Sequence, residues 1–312
     1  MDAIFNVTLP IFALIGCGYF AGKIGVMGEQ STVALNTFVW WFALPALFLL
    51  SLVRVPIEKV VNVPFLIVFG GALLGSFFIA MILAAVATGA RLAELSLHAV
   101  AASFGNIGYM GIPLCLTAFG PEGALPATLG SVFGATVMLT LTVVLVEVGL
   151  HSGGGVIGSL GRVVGAICRN PLLIASALGV FISLMNWHLP VPLIGFLDLI
   201  SKAAAPCALF SIGLFLVNVS MTAGAGEVGL AVIVKTVLQP ALAWALATIF
   251  LDMDSMWAKA AILLAALPTA TNAFILARNY NLFIDRASGT ILISTILSVP
   301  ILSALVVILH IG

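Results

Sequence analysis

Two short stretches put ligand-holding groups inside an otherwise apolar chain. The first runs Ser103-Phe104-Gly105-Asn106-Ile107-Gly108-Tyr109-Met110-Gly111-Ile112-Pro113, three glycines and a proline around an amide. The second is Leu267-Pro268-Thr269-Ala270-Thr271-Asn272, with two hydroxyls and an amide close together. Neither suits an unbroken helix, since glycine costs about 1 kcal/mol and proline about 3 kcal/mol in a helix interior. A break frees backbone N–H and C=O groups that hydrocarbon cannot satisfy. They survive only inside protein or around a watered cavity. Half-helix N-termini facing the middle of a membrane offer N–H donors and the positive ends of their dipoles. Pro113 suits the first turn of the outer half of the first broken span. Thr269, Thr271 or Asn272 suits the cap of the second half of the other. With no charged side chain in either stretch, this chemistry favours a small anion, a carboxylate above all. Asn106, Gly108, Tyr109, Gly111, Pro113, Pro268, Thr269, Thr271 and Asn272 form the candidate binding set. The competing reading is packing glycines and kink prolines, which membrane helices tolerate.

A second group bears on a coupling ion: Ser103, Glu147, Asp198, Lys202 and Lys235. Lys235 and Gln239 are four apart on one helix face. A lysine at the bilayer centre costs about 2.5–3.5 kcal/mol on insertion scales, so its stem is expected to snorkel outward, with anion attraction or pairing as the alternative. Asp198 and Lys202, also four apart near the outer end of their span, read as a local ion pair, with a proton-linked Asp198 as the sharper alternative. Glu147 reads as a rim residue. Sodium would need several oxygens, which Ser103, Asn106, Thr269, Thr271 and carbonyls can supply; protons, or no coupling at all, are equally open. The four histidines sit near span ends and the four cysteines, Cys17, Cys115, Cys168 and Cys207, lie far apart. Neither set builds a metal site or a nucleophile with its base, so no cofactor and no enzymatic activity are expected.

The elements that position these residues follow from composition. Hydrophobic residues make up 62% of the 312 and charged residues 7%. That is too few charges to coat a water-facing surface, where about 25% is usual. Eleven basic and eleven acidic residues cancel, which leaves no basic excess for nucleic acid. Mean hydropathy is +1.30. The chain is an all-α integral membrane protein whose main partners are the lipid bilayer and a small organic anion, with a homodimer left open. Spans of about 20 apolar residues are expected at 5–22, 33–53, 63–87, 97–119, 125–149, 171–188, 193–217, 228–251, 257–279 and 287–310. Met1-Asp2-Ala3 lacks a basic leader, so the first run reads as a retained span. A Gly-rich linker at 151–169 divides a first repeat, 1–150, from a second, 170–312. Ten spans put both termini on one side. Lys23, Arg91, Arg162, Arg169, Lys235, Arg278 and Arg286 follow or adjoin odd-numbered spans; Arg54, Lys59, Lys202 and Lys259 follow or adjoin even-numbered ones. Seven against four makes the linker cytoplasmic and both termini external.

Shifting the sequence by 161 superposes Pro10 on Pro171, Gly18 on Gly179, Phe20 on Phe181 and Pro45 on Pro206. Five spans per half, an odd number, require the second half to enter the membrane upside down, as in many secondary transporters. The two interrupted spans are then equivalents, the fourth and the ninth. The register slips locally, because Asn106 shifted by 161 lands on Leu267 and not on Asn272.

Leu9-Pro10 through Gly16, Gly18-Tyr19-Phe20, Leu44-Pro45-Ala46-Leu47-Phe48, Gly105-Asn106-Ile107-Gly108 with Gly111-Ile112-Pro113, and Ala266-Leu267-Pro268 with Asn272 together resemble the auxin efflux carrier family over essentially the whole chain. The resemblance implies ten spans in two inverted five-helix repeats, with crossed, broken fourth and ninth helices. It also implies transport of organic anions, such as auxins in plants and malonate or malate in bacteria, with Asn106, Pro113, Pro268 and Asn272 lining the crossing. The chain departs from plant members in lacking a long hydrophilic central loop, which suits a compact bacterial carrier. It also lacks an acidic residue in the second span, so no proton site carries over there. The expected function is a secondary carrier working by alternating access. The alternatives are an ion channel, which needs a polar pore the spans do not offer, and a non-transporting sensor of organic acids.

Overall fold

The computed structural model describes residues 7–53, 62–150, 169–217, 219, 224–252 and 254–311. The expected linker, apart from Arg169, lies outside the described residues, as do Arg54, Lys59, His151, Arg162 and Cys168. Among the described residues the chain is helical, with no strand beyond one isolated bridge between Gly105 and Thr269.

The helices in order are α1 (Leu9–Lys23), α2 (Glu29–Val53, with a π turn at Val39–Ala43), α3 (Val63–Thr88), α4 (Leu92–Ser103) and, after a π turn at Ile107–Gly111, α5 (Ile112–Phe119). A 3-10 turn, Gly120–Gly123, leads to α6 (124–150, with a π turn at Gly134–Met138). The second part holds α7 (Pro171–Leu184), α8 (Val191–Lys202), α9 (Ala204–Leu216), α10 (Ala225–Phe250, with a π turn at Val234–Leu238), α11 (Met256–Ala265), α12 (Asn272–Tyr280) and α13 (Ile284–Ile308). Each expected segment falls on a helix or on a helix pair joined across a bend or break. Among the described residues, six stretches are long and apolar enough to cross a membrane, and four shorter apolar helices accompany them. The protein is a multi-pass membrane protein.

Local chemistry sets the boundaries. Asn62 caps α3 by accepting from Phe65 N–H at 2.9 Å, Pro64 stands in its first turn, and Gly89 ends it at φ 63°. That left-handed conformation costs glycine little. Asn170 caps α7 by accepting from Leu172 N–H at 2.9 Å, with Pro171 opening the helix. Ser255 caps α11 by accepting from Ala258 N–H at 3.2 Å.

The outer surface is apolar. Phe20, Ile82, Val86, Val191, Leu199 and Ile249 are all exposed, as lipid-facing side chains should be. Inside, hydroxyls turn back onto their own helices: Thr142 donates to Met138 O at 2.7 Å, Thr236 to Val232 O at 2.7 Å and Thr295 to Ile291 O at 2.6 Å. Each of these three hydroxyl hydrogens is then satisfied within its own helix. Backbones meet where glycine allows it. A β-carbon on Gly18 would stand 2.0 Å from Phe210 O, and one on Gly213 would stand 2.0 Å from Ile15 O, so α1 and α9 touch main chain to main chain.

Candidate functional site

Helix α4 stops at Ser103, and Phe104 is extended at ψ 103°. Asn106 N–H donates to Pro268 O at 2.8 Å, and Ala270 N–H donates to Phe104 O at 2.9 Å. These two bonds make Gly105 and Thr269 a one-rung antiparallel bridge. Each break thus satisfies the other's backbone, which hydrocarbon would leave unpaired. A β-carbon on Gly105 would lie 3.3 Å from Lys235 Nζ and 3.4 Å from Leu264 O, so a larger side chain would crowd the bridge. Thr269 locks it, donating from Oγ1 to Ala101 O at 2.7 Å and from N–H to Ser294 Oγ at 3.1 Å.

Past the bridge both chains become helical again. Asn106 is the N-cap of the π turn that leads into α5, and its carbonyl accepts from Met110 N–H at 3.0 Å and Gly111 N–H at 3.1 Å. Thr271 is the N-cap of α12, whose first residue is Asn272. No side-chain cap bond forms at Thr271, and Thr269 bonds outside α12; the capping expected of Thr269 or Thr271 is not made. The first break spans residues 104–106 and the second 266–271. The second is three residues longer, and Asn106 is the N-cap of its helical segment whereas Asn272 is the first residue of its own.

Two cavities adjoin this crossing. A small one of about 40 Å³ is lined by the whole first break through Tyr109, and by Trp40, Leu44, Ser131, Ala135, Leu172, Ala270, Thr271 and Asn272. A larger one of about 760 Å³ shares Trp40, Tyr109, Thr271 and Asn272 with it, and continues past Asn36, Ser211 and Phe215 to Glu29, Asn170 and Arg278. Glu29 and Arg278 are exposed, so the larger cavity opens at their end of the molecule. Ser211 Oγ donates to Asn36 Oδ1 at 2.9 Å, and Tyr109 OH makes a long 3.5 Å contact with Asn36 O. Three π turns contribute to the small cavity's wall through Trp40, Gly108 and Ala135. Such turns widen a helix locally and often mark functional sites.

Of the expected binding set, Asn106, Gly108, Tyr109, Thr271 and Asn272 line these cavities. The other four do not. Gly111 is a contact point: its β-carbon would meet Leu267 and Leu264 at 2.7 and 2.8 Å. Pro113 is buried in the first turn of α5, Pro268 gives its carbonyl to Asn106, and Thr269 spends both polar groups on the bridge. These residues build the crossing and do not face its cavities. Asn36 and Ser211 escaped the sequence reading, and Arg278 entered it only as a mark of topology. Asn36 and Ser211 left a faint signal, as polar residues inside apolar spans.

The coupling candidates also separate. Lys235 is fully buried, and its Nζ donates to Gln239 Oε1 at 2.5 Å and Ala265 O at 2.9 Å. It does not snorkel: the Ala265 carbonyl at the end of α11 holds its ammonium inside the protein. Asp198 and Lys202 form an i, i+4 ion pair at 2.7 Å, partly solvated. The pair closes α8 at the bend before α9 and lines neither cavity. Glu147 is buried and not at a rim; its Oε1 accepts from Tyr280 OH at 3.1 Å, tying α6 to α12. Ser103 donates within its own helix to Ala99 O at 2.6 Å. Among the described residues no cluster of His, Cys, Asp and Glu can hold a metal ion.

A family model described as "Membrane transport protein" matches residues 3–151 and 159–306. A Rhizobium meliloti protein that carries the name "Putative malonate transporter" is 32% identical over 313 aligned positions, covering 100% of this chain and 98% of its own length. An "Uncharacterized transporter" from Methanothermobacter thermautotrophicus is 30% identical over 297 positions, 94% of each chain. "Auxin efflux carrier component 6" of Arabidopsis thaliana is 32% identical over 141 positions, 43% of this chain and 25% of its own.

Proposed function

Because the chain belongs to the membrane transport protein family, with auxin efflux carriers among its relatives, we propose that it is a secondary carrier of small organic anions. Mono- and dicarboxylates such as malonate and malate are the substrate class. The observation that carries the proposal is the convergence of two half-helix N-termini, at Asn106 and at Thr271–Asn272, on the small cavity at the crossing, which shares Trp40, Tyr109, Thr271 and Asn272 with the cavity of about 760 Å³. Each helix start has N–H groups without intrahelical partners and a partial positive charge. A carboxylate between them gains charge-assisted hydrogen bonds, and the Asn106 and Asn272 amides add neutral ones. The name of the rhizobial relative agrees with a dicarboxylate.

The proposed architecture is ten spans in two inverted repeats, 1–150 and 170–312, whose fourth and ninth members cross. One packing coincidence supports it. Gly18 packs on the carbonyl of Phe210, and Gly179, 161 positions after Gly18, packs against the carbonyl of Leu49, 161 positions before Phe210. Close contacts repeated at the register of the sequence repeat are what a two-fold relation between the halves would produce. The cavity opens at the end that carries Glu29, Asn170 and Arg278. By the basic-residue count that end is cytoplasmic, so the state is inward-open, with external termini in an inner membrane. Rocking of one helix group against the other then exposes the same crossing to the other side.

The test is uptake of labelled malonate, malate and indole acetate into liposomes holding the purified protein. Saturable uptake of one acid, competed by its neighbours in the series, is the expected result. Binding of an acid without flux would instead make the protein a sensor, and currents far above carrier turnover would make it a channel.

A further inference from the structure

We propose that Lys235 is the resident cation of the crossing: its ammonium balances the carbonyl ends of the two half-helices that lead into the breaks, where a bound metal cation would otherwise be required, so that the anion is carried without sodium.

Four helix ends meet at the crossing. Two are N-terminal and face the cavities. The other two are the C-termini of α4 at Ser103 and of α11 at Ala265, each with carbonyls lacking intrahelical partners and a partial negative charge. Left alone, these ends would oppose the positive pair and repel an arriving anion. Lys235 Nζ lies among them. It donates to Ala265 O at 2.9 Å and sits 3.3 Å from where a Gly105 β-carbon would stand, two residues past the end of α4. Gln239, one turn further along α10, orients it through a 2.5 Å bond. The side chain is 0% exposed. A charged group so deep in a membrane protein persists only with partners, and here these are the Ala265 carbonyl and the Gln239 amide oxygen, ligands that a small cation would also select. The π turn Val234–Leu238 carries Lys235 and so aims the ammonium at the break.

The transport consequence rests on the carrier reading above, whereas the stabilising role of the ammonium does not. The purified protein is therefore melted in detergent in choline chloride and in sodium chloride, and its uptake of malonate is measured in the same media. The wild type should melt at one temperature in both and take up the acid equally in both. Lys235→Ala should melt lower in choline chloride and lose uptake by about tenfold or more, the scale of one lost charge-assisted hydrogen bond. Both properties should recover in part on adding ethylammonium or sodium, which can occupy the vacated position. Lys235→Met, similar in bulk but uncharged, should stay impaired with either cation. A wild type whose melting temperature and uptake rise with sodium overturns the proposal. So does an Ala variant that matches the wild type, or one whose loss neither cation relieves. If no acid is transported in any medium, the carrier reading fails, while the melting series still decides the role of Lys235.

Discussion

At Asn106 backbone and side chain have separate duties. The N–H closes the bridge to Pro268, and the side chain lines the small cavity with that of Asn272. Asn106→Ala and Asn272→Ala keep the bridge, so folding and membrane insertion should survive. Each should weaken apparent anion affinity by about tenfold, the worth of one hydrogen bond to a charged group. Competition curves for uptake, read beside helical content, check this. Gly18 illustrates the opposite kind of residue. An alanine there would drive a β-carbon to 2.0 Å from Phe210 O, a rigid main-chain atom. Gly18→Ala should cost about 1–3 kcal/mol as overpacking, seen as a lower melting temperature. Gly16→Ala, with nothing within 4 Å of its added carbon, should be silent.

At the scale of elements, the broken helices are held by each other and by their neighbours. Thr269 alone joins the ninth segment to the fourth through Ala101 O and to α13 through Ser294. Thr269→Val leaves the Ala101 carbonyl without that donor in the core and should destabilise the protein by about 1–3 kcal/mol, lowering its melting temperature. The cap at Asn170 holds the start of α7 beside the cavity mouth. Asn170→Ala should cost about 1 kcal/mol, seen as a lower melting temperature.

For the whole molecule, the proposed carrier function turns on one-sided access. Asn36 and Ser211 line the same cavity as Asn272 and open with it toward Glu29 and Arg278. A cysteine at Asn36, which is half-buried, in a chain whose four native cysteines are replaced, should react with a membrane-impermeant thiol reagent from that side, and malonate should slow the reaction. Labelling in right-side-out and inside-out vesicles checks both the sidedness and the inward-open assignment. Equal labelling from both sides would describe a pore and not a carrier.

Composition by itself determined a great deal. A chain with 62% hydrophobic and 7% charged residues must sit in lipid, and only helices can do so here because each closes its own hydrogen bonds. The positions of both breaks were legible at Gly105–Asn106 and at Pro268–Asn272, since glycine and proline act locally on the backbone. The tertiary structure alone decided which side chains face the cavities. Helices that are apolar on every side carry no hydrophobic stripe to say which face turns inward. Asn36 and Ser211 therefore went unnoticed, while Gly111, Pro113, Pro268 and Thr269 line neither cavity. The fate of Lys235 was settled the same way: a long stem can reach water or a neighbour, and only the packing of α10 against the break brought Ala265 O within its reach.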